Sequence, residues 1–225
     1  MKPIYEPKRA AKEYGDFALN IYTGCPHRCY YCFAPQVLHR DREIFHSVVE
    51  PRHGIVEGTK KQVERENITG KLIHLCFTCD PYPTGYDSTA TREIIQLLKE
   101  YGNHVQILTK GDGKRDFDLL DSGDWYGVTI DGTGGRKDYF RALDLAAAKI
   151  RQIKTWVSFE PVINAENVLA SIKELRFVDK VKIGKLNYYP SNINWAEFGR
   201  EAETLCKHLG VDYYIKESLR KEMDT

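Results

Sequence analysis

The sequence predicts an α/β protein, a single-domain partial barrel of six strand–helix units, (β/α)6, with parallel strands. Short apolar stretches rich in β-branched and aromatic residues alternate with amphipathic stretches along the whole chain, which is typical of βαβ units. The 225 residues are enough for one domain with a core, but fewer than the roughly 250 residues of a complete eight-unit barrel. We therefore expect one domain over 1-225, in which 1-16 form an N-terminal surface arm and 17-215 form the partial barrel.

The predicted elements follow one another in order. The strands are 17-22, 71-78, 104-109, 124-130, 155-159, 180-188 and a last strand-like piece, 211-215. The helices are 56-67, 90-101, 115-120, 136-150, 165-174 and 195-209, and another helix starts at Phe33. Polar residues that are unusual for a core stand where the first six strands end: Cys25, Cys79 with Asp80, Lys110, Asp131, Glu160 and Asn187. Because the carboxyl ends of barrel strands share one face, we expect these side chains to converge there.

Composition excludes several classes of protein. The formal net charge of +1 gives no overall field that favours duplex nucleic acid. The N-terminus has no hydrophobic signal core and no apolar run approaches 18 residues, so we expect a cytoplasmic protein without a membrane partner. The six cysteines are too few, and too clustered, for a secreted disulfide framework, which favours metal binding in a reducing compartment.

Three cysteines lie within eight residues, after the first predicted strand. Cys25, Cys29 and Cys32 have the spacing C-x-x-x-C-x-x-C, and thiolates select zinc, cuprous copper or iron–sulfur clusters. Structural zinc sites and ferredoxin-type clusters normally take four protein ligands, so three leave one coordination position open. An open position is what a catalytic metal centre needs. The alternative is a zinc site completed by His27 or another residue, and His27 is otherwise expected to face solvent.

The C-x-x-x-C-x-aromatic-C pattern resembles that of the radical S-adenosylmethionine superfamily. In that superfamily three cysteines hold a [4Fe-4S] cluster, and the methionyl group of S-adenosylmethionine binds the fourth iron. The resemblance implies that Cys25, Cys29 and Cys32 are the cluster ligands. It also implies that Tyr31 and Phe33 lie against the adenine of the cofactor.

Further motifs resemble one branch of the superfamily, the spore photoproduct lyase-like proteins, often labelled DNA repair photolyases. The resemblance covers roughly residues 16-190. Its motifs are Asp80-Pro81-Tyr82, Thr91-Arg92, Thr109-Lys110, Arg115-Asp116 with Leu119-Leu120, and Glu160-Pro161.

The branch resemblance implies roles for the residues that end the second and third predicted strands. Thr78 or Cys79, with Asp80, and Lys110 are expected to hold the methionine carboxylate of the cofactor, and an ammonium group suits a carboxylate. Cys79 is the better candidate for a hydrogen-atom donor and Cys76 the alternative. We expect strand alternation to put these two thiols on opposite faces, and a small buried apolar role is the other interpretation of both.

Glu160 is expected to bind the ribose or amino group of the cofactor, or the substrate, because carboxylates are seldom buried without a partner. The function predicted from these sites is a radical enzyme. It would cleave S-adenosylmethionine reductively to a 5′-deoxyadenosyl radical that abstracts hydrogen from a substrate, with a one-electron reductant such as flavodoxin or ferredoxin. A nucleobase or nucleotide is the first substrate class, and a peptide or small metabolite is the alternative. The alternative from another class is a zinc-stapled nucleic-acid-binding module without catalysis.

Overall fold

A computed structural model describes residues 2–224 of the chain. The chain divides into two compact units, Met1–Trp125 and Tyr126–Thr225. None of the helices within the described residues combines the length and the apolar character that a membrane crossing requires.

The first unit contains four strands with helices between them. The strands are β1 (Ile4–Tyr5), β2 (Phe17–Leu19), β3 (Leu72–Leu75) and β4 (His104–Thr109). The α-helices are α1 (Ala34–Val37), α2 (Arg42–Ser47), α3 (Ile55–Glu66) and α4 (Thr89–Glu100), and Arg9–Glu13 and Lys114–Asp116 form 3-10 turns. β1 is antiparallel to β2, whereas β2 pairs in parallel with β3, and β3 with β4.

The second unit continues the alternation. β5 (Trp125–Thr129) starts at the boundary between the units and is followed by α5 (Arg136–Ile150), β6 (Lys154–Phe159), α6 (Ala165–Glu174), β7 (Lys180–Ile183), α7 (Trp195–Leu209), β8 (Tyr213–Ile215) and α8 (Glu217–Met223). β6 pairs in parallel with β7, and β7 with β8. Asn194 begins α7 by accepting a hydrogen bond from the N–H of Glu197, and Gly210 ends it in the left-handed conformation.

The core of each unit is built from the strands. Ile73, Leu75, Val105 and Ile107 of the first unit are fully buried. The equivalent set in the second unit is Val157, Phe159, Val181 and Ile183, with exposed fractions of 1% or less. Since parallel strands covered by helices are apolar along their length, both sets explain why the sequence shows short apolar runs here.

The structure confirms the α/β class with mainly parallel strands, while the count of six units stays a prediction. Five predicted strands are shorter than expected, and three of them end at least three residues early, since β2 ends at Leu19, β3 at Leu75 and β7 at Ile183. The chain leaves β3 sharply because Cys76 has a positive φ of 70°. Beyond the end of β3, the backbone N–H groups of Phe77 and Thr78 donate hydrogen bonds to the side-chain oxygen of Asn20 and not to a neighbouring strand.

β1, α2 and α8 gave no recognisable pattern in the sequence, and the predicted helix 115-120 is only a 3-10 turn, Lys114–Asp116. The expected surface arm is partly a core element. Ile4 is 1% exposed, and its backbone N–H and C=O both bind the side chain of Gln62. A two-residue strand is too short to give a periodic signal, which is why pattern analysis placed these residues on the surface.

Candidate active site

The three predicted cluster ligands lie on the irregular loop between β2 and α1. Cys25, Cys29 and Cys32 are free thiols of intermediate exposure. Burial raises the pKa of Cys25, and the nearby Asp80 carboxylate acts in the same direction. Burial likewise raises the pKa of Cys32. The thiols of Cys25 and Cys32 therefore stay protonated in the metal-free loop, and metal binding would release their protons.

The loop lies directly against the backbone of α2. The N–H of Cys25 donates to the carbonyl of Phe45 at 3.1 Å. A Cβ atom on Gly24 would lie 2.3 Å from the carbonyl oxygen of Phe45 and 2.4 Å from that of Val48. Only glycine fits at that position, so the close approach of loop and helix depends on it.

Lys110 reaches the cysteine loop from the end of β4. Its Nζ atom lies 3.4 Å from the Sγ atom of Cys29, and it also contacts the hydroxyl of Tyr31. The ammonium group stands 4.7 Å from the centroid of the Tyr31 ring, within cation–π distance. The structure thus brings together three residues that the sequence assigned to the same site.

Asp80, just after β3, lies at the centre of the hydrogen bonds around this site. Its carboxylate accepts from the Thr109 hydroxyl at 2.5 Å and from the N–H groups of Tyr82 and Lys110, both at 2.8 Å. Burial works to raise the pKa of Asp80, but His27, Thr109 and the Lys110 N–H outweigh it and hold the pKa below its usual value. Asp80 is therefore an ionised anchor that fixes the chain on which Lys110 stands.

His27 differs from the expectation that it faces solvent. Its side chain is only 12% exposed, and Nε2 lies 3.0 Å from a carboxylate oxygen of Asp80. The sequence carried no signal for this pairing, because the two residues are far apart along the chain.

Thr78, which follows β3, has a hydroxyl group whose hydrogen-bonding capacity is not used within the described residues. Its Oγ1 atom is buried and has no hydrogen-bond partner among the described residues. Its backbone N–H is held by Asn20 at 2.9 Å. A buried hydroxyl without a partner is costly, so it is a group that a ligand can satisfy.

Cys76 and Cys79 do not follow the predicted strand alternation, because β3 ends at Leu75 and Cys76 is left-handed. The backbone N–H of Tyr22 donates to the sulfur of Cys79 at 3.4 Å. Burial raises the pKa of the Cys76 thiol. Burial also disfavours the Cys79 thiolate, yet hydrogen bonds from Cys76 and Tyr22 lower its pKa. Cys79 is the more acidic thiol of the pair.

The other branch motifs of the first unit form a supporting network. The hydroxyl of Thr91 donates to the carbonyl of Pro81 at 2.5 Å and lies 3.0 Å from the Tyr22 hydroxyl. The guanidinium groups of Arg92 and Arg115 both bind the fully buried carboxylate of Asp116 at 2.9 Å. Thr91 thus holds the turn that begins at Asp80, and the two arginines hold the 3-10 turn that contains Asp116. Phe33 has a different environment, since 48% of its surface is exposed.

Glu160 belongs to the second unit and is held there by a residue that the sequence analysis missed. The ammonium of Lys216 lies 2.8 Å from Oε2 of Glu160, and the lysine is 3% exposed. A Cβ atom on Gly184 would approach the Glu160 carboxyl to 3.0 Å, so a glycine leaves room for it. Lys216 immediately precedes α8, and a lone lysine beside a helix that was itself not predicted gives no recognisable pattern.

Asp131 and Asn187, the two weaker strand-end candidates, make local contacts. The Asp131 carboxylate accepts from the N–H of Thr133 at 3.1 Å and from its hydroxyl at 2.7 Å. Asn187 donates from its amide to the carbonyl of Lys185 at 3.3 Å. Both residues therefore close turns.

Side-chain spacing separates two kinds of metal centre. Among residues 2–224, only His104, Asp121 and Asp124 form a group of three with ligand atoms within 4.8 Å of one another, and the ammonium of Lys99 already binds both aspartates there. The sulfur atoms of the three loop cysteines do not all lie within 4.8 Å of one another, whereas tetrahedral zinc with Zn–S bonds of about 2.3 Å needs sulfurs about 3.8 Å apart. In a [4Fe-4S] cluster each thiolate binds a different iron atom, so a cluster does not require that close spacing of the sulfurs.

Comparisons with known proteins give a clear result for the fold. No family model matches the chain, and no curated protein matches it. Three solved structures of spore photoproduct lyase match, each at 11% sequence identity: a single-substitution mutant with a TM-score of 0.66, a complex with dinucleoside spore photoproduct at 0.65, and a mutant with bound AdoMet and dinucleoside spore photoproduct at 0.62.

The first two matches each cover 93% of this chain and 78% of the solved chain, and the third covers 88% and 63%. The structural likeness therefore extends over most of the residues in both units. The resemblance that the motifs predicted is confirmed at the level of the fold, and this chain has the fold of spore photoproduct lyase.

Proposed function

We propose that this protein is a radical S-adenosylmethionine enzyme. The observation that carries the proposal is the contact between Lys110 and the cysteine loop, where Nζ lies 3.4 Å from the sulfur of Cys29. It puts a carboxylate-binding cation beside a set of three thiols with an open coordination position. A [4Fe-4S] cluster on Cys25, Cys29 and Cys32, with S-adenosylmethionine beside it, would supply one-electron chemistry that yields methionine and a 5′-deoxyadenosyl radical.

The other predicted site residues have assigned roles in this proposal. Lys110 holds the methionine carboxylate, on a backbone fixed by Asp80. The Thr78 hydroxyl, which has no hydrogen-bond partner among residues 2–224, hydrogen-bonds to the cofactor. Tyr31 and the exposed ring of Phe33 lie against the adenine. Glu160, held by Lys216, binds the ribose or amino group of the cofactor or contacts the substrate.

A nucleobase or nucleotide is the proposed substrate class. Two of the solved structures of the same fold contain dinucleoside spore photoproduct, and one also contains AdoMet. Cys79, the more acidic thiol of the buried pair, is the candidate hydrogen-atom donor to a substrate radical. A reductant such as flavodoxin or ferredoxin would supply the electron, in a cytoplasmic setting.

Anaerobic reconstitution tests the proposal. The protein should take up iron and acid-labile sulfide, and with a reductant and S-adenosylmethionine it should form 5′-deoxyadenosine. Cys29→Ala should lose cluster retention and cofactor cleavage together. Cys206→Ala is the matched control, because Cys206 is a buried thiol on α7 and should leave both properties unchanged.

Two results would contradict the proposal. If the Cys29→Ala protein still cleaves S-adenosylmethionine, the assignment of Cys29 as a ligand of a catalytic cluster is wrong. Stoichiometric zinc without sulfide, in a colourless protein, would favour the zinc-stapled binding module. If nucleosides and oligonucleotides leave 5′-deoxyadenosine formation unchanged while peptides or small metabolites speed it, the enzyme assignment stands and the substrate class changes.

A further inference from the structure

Helix α2 presents two side chains to the cysteine loop. Arg42 and His46 are four residues apart, so they lie on the same face of the helix. Asp41 caps the N-terminus by accepting a hydrogen bond from the N–H of Ile44 at 2.9 Å, and Phe45 is completely buried. The helix is short, but it is anchored at both its cap and its core face.

Arg42 binds three carbonyl oxygens of the loop at once. Nη2 donates to the carbonyl of Cys29 at 2.5 Å and to that of Tyr30 at 2.9 Å, and Nη1 donates to the carbonyl of Cys32 at 3.2 Å. A guanidinium group carries five N–H donors in a rigid plane, which allows one side chain to hold several acceptors.

His46 holds the remaining cysteine. Its Nδ1 atom lies 2.7 Å from the carbonyl oxygen of Cys25. A carbonyl only accepts hydrogen bonds, so Nδ1 carries the proton. The residue is 3% exposed. Thus the backbone carbonyls of all three predicted ligands are held by two side chains of one helix.

The charge on Arg42 is directed at neutral groups. Within residues 2–224 no carboxylate lies within ion-pairing distance of its guanidinium, and its partners are backbone carbonyls of the loop. A guanidinium group stays protonated at every pH that a protein tolerates. One of those carbonyls belongs to Cys32 itself and lies 3.2 Å from Nη1, so the positive charge stands beside the backbone of a predicted ligand.

We propose that Arg42 is a positioning residue for the cysteine loop and that its charge, not balanced by a carboxylate, raises the reduction potential of the cluster held there. Net charge and hydrogen bonding are among the factors that set cluster potentials. A fixed cation favours the reduced state, which is more negative by one charge. The inference rests on the proposed function, since it needs the cluster to be present.

Three variants separate the two effects. Arg42→Gln removes the charge and the fork of donors. Arg42→Lys keeps the charge, but an ammonium group is a point donor that does not reproduce the planar fork. Arg28→Gln is the matched control, because Arg28 lies in the same loop and binds exposed Glu43 of α2 at 2.6 Å. It changes the net charge of the protein by the same amount as Arg42→Gln.

Two measurements on the reconstituted proteins test the inference. The midpoint potential is followed by anaerobic titration of the reduced-cluster EPR signal. The rate of iron release to a chelator reports how firmly the loop holds its ligands. In Arg42→Gln the ratio of reduced to oxidised cluster at a fixed potential should fall about tenfold, which is a decrease in midpoint potential of about 59 mV for one electron, and iron should leave about tenfold faster.

In Arg42→Lys the potential should stay near that of the wild type while iron release is faster, and Arg28→Gln should change neither. Equal potential shifts in Arg42→Gln and Arg28→Gln would show a general charge effect and overturn the inference. An unchanged potential in Arg42→Gln would also overturn it. A wild-type protein that takes up no iron and sulfide would instead overturn the proposed function, so the two failures are distinguishable.

If Arg42→Gln does not load a cluster, the potential is compared in Arg42→Lys alone. The positioning role is then tested by hydrogen–deuterium exchange of the metal-free proteins. Loop amides 25-33 should exchange faster in both Arg42 variants than in Arg28→Gln. Equal exchange in all three would contradict the positioning role.

Discussion

Two carboxylates that were predicted from the sequence to bind a ligand stand at strand ends, and different kinds of contact hold them in place. Asp80, after β3, accepts hydrogen bonds from Thr109 and from two backbone N–H groups, and one of its oxygens also lies 3.0 Å from Nε2 of His27. Glu160, after β6, is paired with the ammonium of Lys216, which is buried. A carboxylate held by several dipoles is a structural centre. A carboxylate paired with a cation is an electrostatic unit whose stability depends on both members.

The largest effect should come from Asp80→Ala. The Thr109 hydroxyl and the N–H groups of Tyr82 and Lys110 would lose their acceptor, at about 1 to 3 kcal/mol for each buried group. We expect the free energy of unfolding to fall by about 3 to 5 kcal/mol, measured by urea denaturation. Asp87→Ala is the control, because Asp87 accepts from Thr89 in an exposed turn and should cost much less. Equal losses would show that Asp80 is not a structural centre.

The pH dependence of the free energy of unfolding tests the role of the Asp80 carboxylate separately. The pKa of Asp80 is lower in the folded protein than in the unfolded chain, so its contribution to stability is complete above the unfolded value of about 3.9. That contribution is lost as the pH falls through the lower, folded value. Asp80→Asn removes it, so the stability of this variant should depend less steeply on pH below about 4 than that of the wild type. Identical slopes would contradict the assignment.

Lys216→Met should have the second-largest effect. It leaves the Glu160 carboxylate without its cation, and breaking a buried pair costs about 3 to 5 kcal/mol. Since the Glu160 side chain is 19% exposed, we expect a smaller loss, about 2 to 4 kcal/mol in urea unfolding. The double variant Glu160→Gln with Lys216→Met carries no unpaired charge and should recover part of the loss. A double variant no more stable than Lys216→Met would contradict the description of the pair as one electrostatic unit.

The sequence predicted the parts of this protein that repeat or that carry unusual chemistry. The alternation of apolar runs and amphipathic stretches predicted most strands and helices, and the cysteine spacing located the loop that contacts Lys110. Apolar periodicity reports burial within one element, and so it predicts which residues enter a core.

Contacts between distant residues left no pattern in the sequence. The partners Arg42, His27 and Lys216 were missed for this reason, and each reaches a site residue through a side chain. Helix α2 was missed because six residues are too few to show a helical period. The conformation of Cys76 was missed because only glycine signals a positive φ reliably.

The smallest effect on stability should come from Thr78→Val, and it bears directly on function. The Thr78 hydroxyl is buried without a partner among the described residues, so replacing it with a methyl group should leave the free energy of unfolding unchanged or raise it by up to about 1 kcal/mol. Thr91→Val is the matched control. Its hydroxyl binds the Pro81 carbonyl and contacts Tyr22 in a fully buried site, so the loss should be about 1 to 3 kcal/mol.

The two threonines should behave in the opposite way toward the cofactor. If the Thr78 hydroxyl is satisfied by S-adenosylmethionine, Thr78→Val should weaken binding of that molecule to the reconstituted protein by about tenfold, measured by anaerobic equilibrium titration, because a buried hydrogen bond is worth about 1.4 kcal/mol. Thr91→Val should retain near-normal affinity in the fraction that is folded. A Thr78→Val protein that is clearly destabilised and binds normally would make this hydroxyl part of the fold, as Asp80 is, and would remove it from the proposed cofactor site.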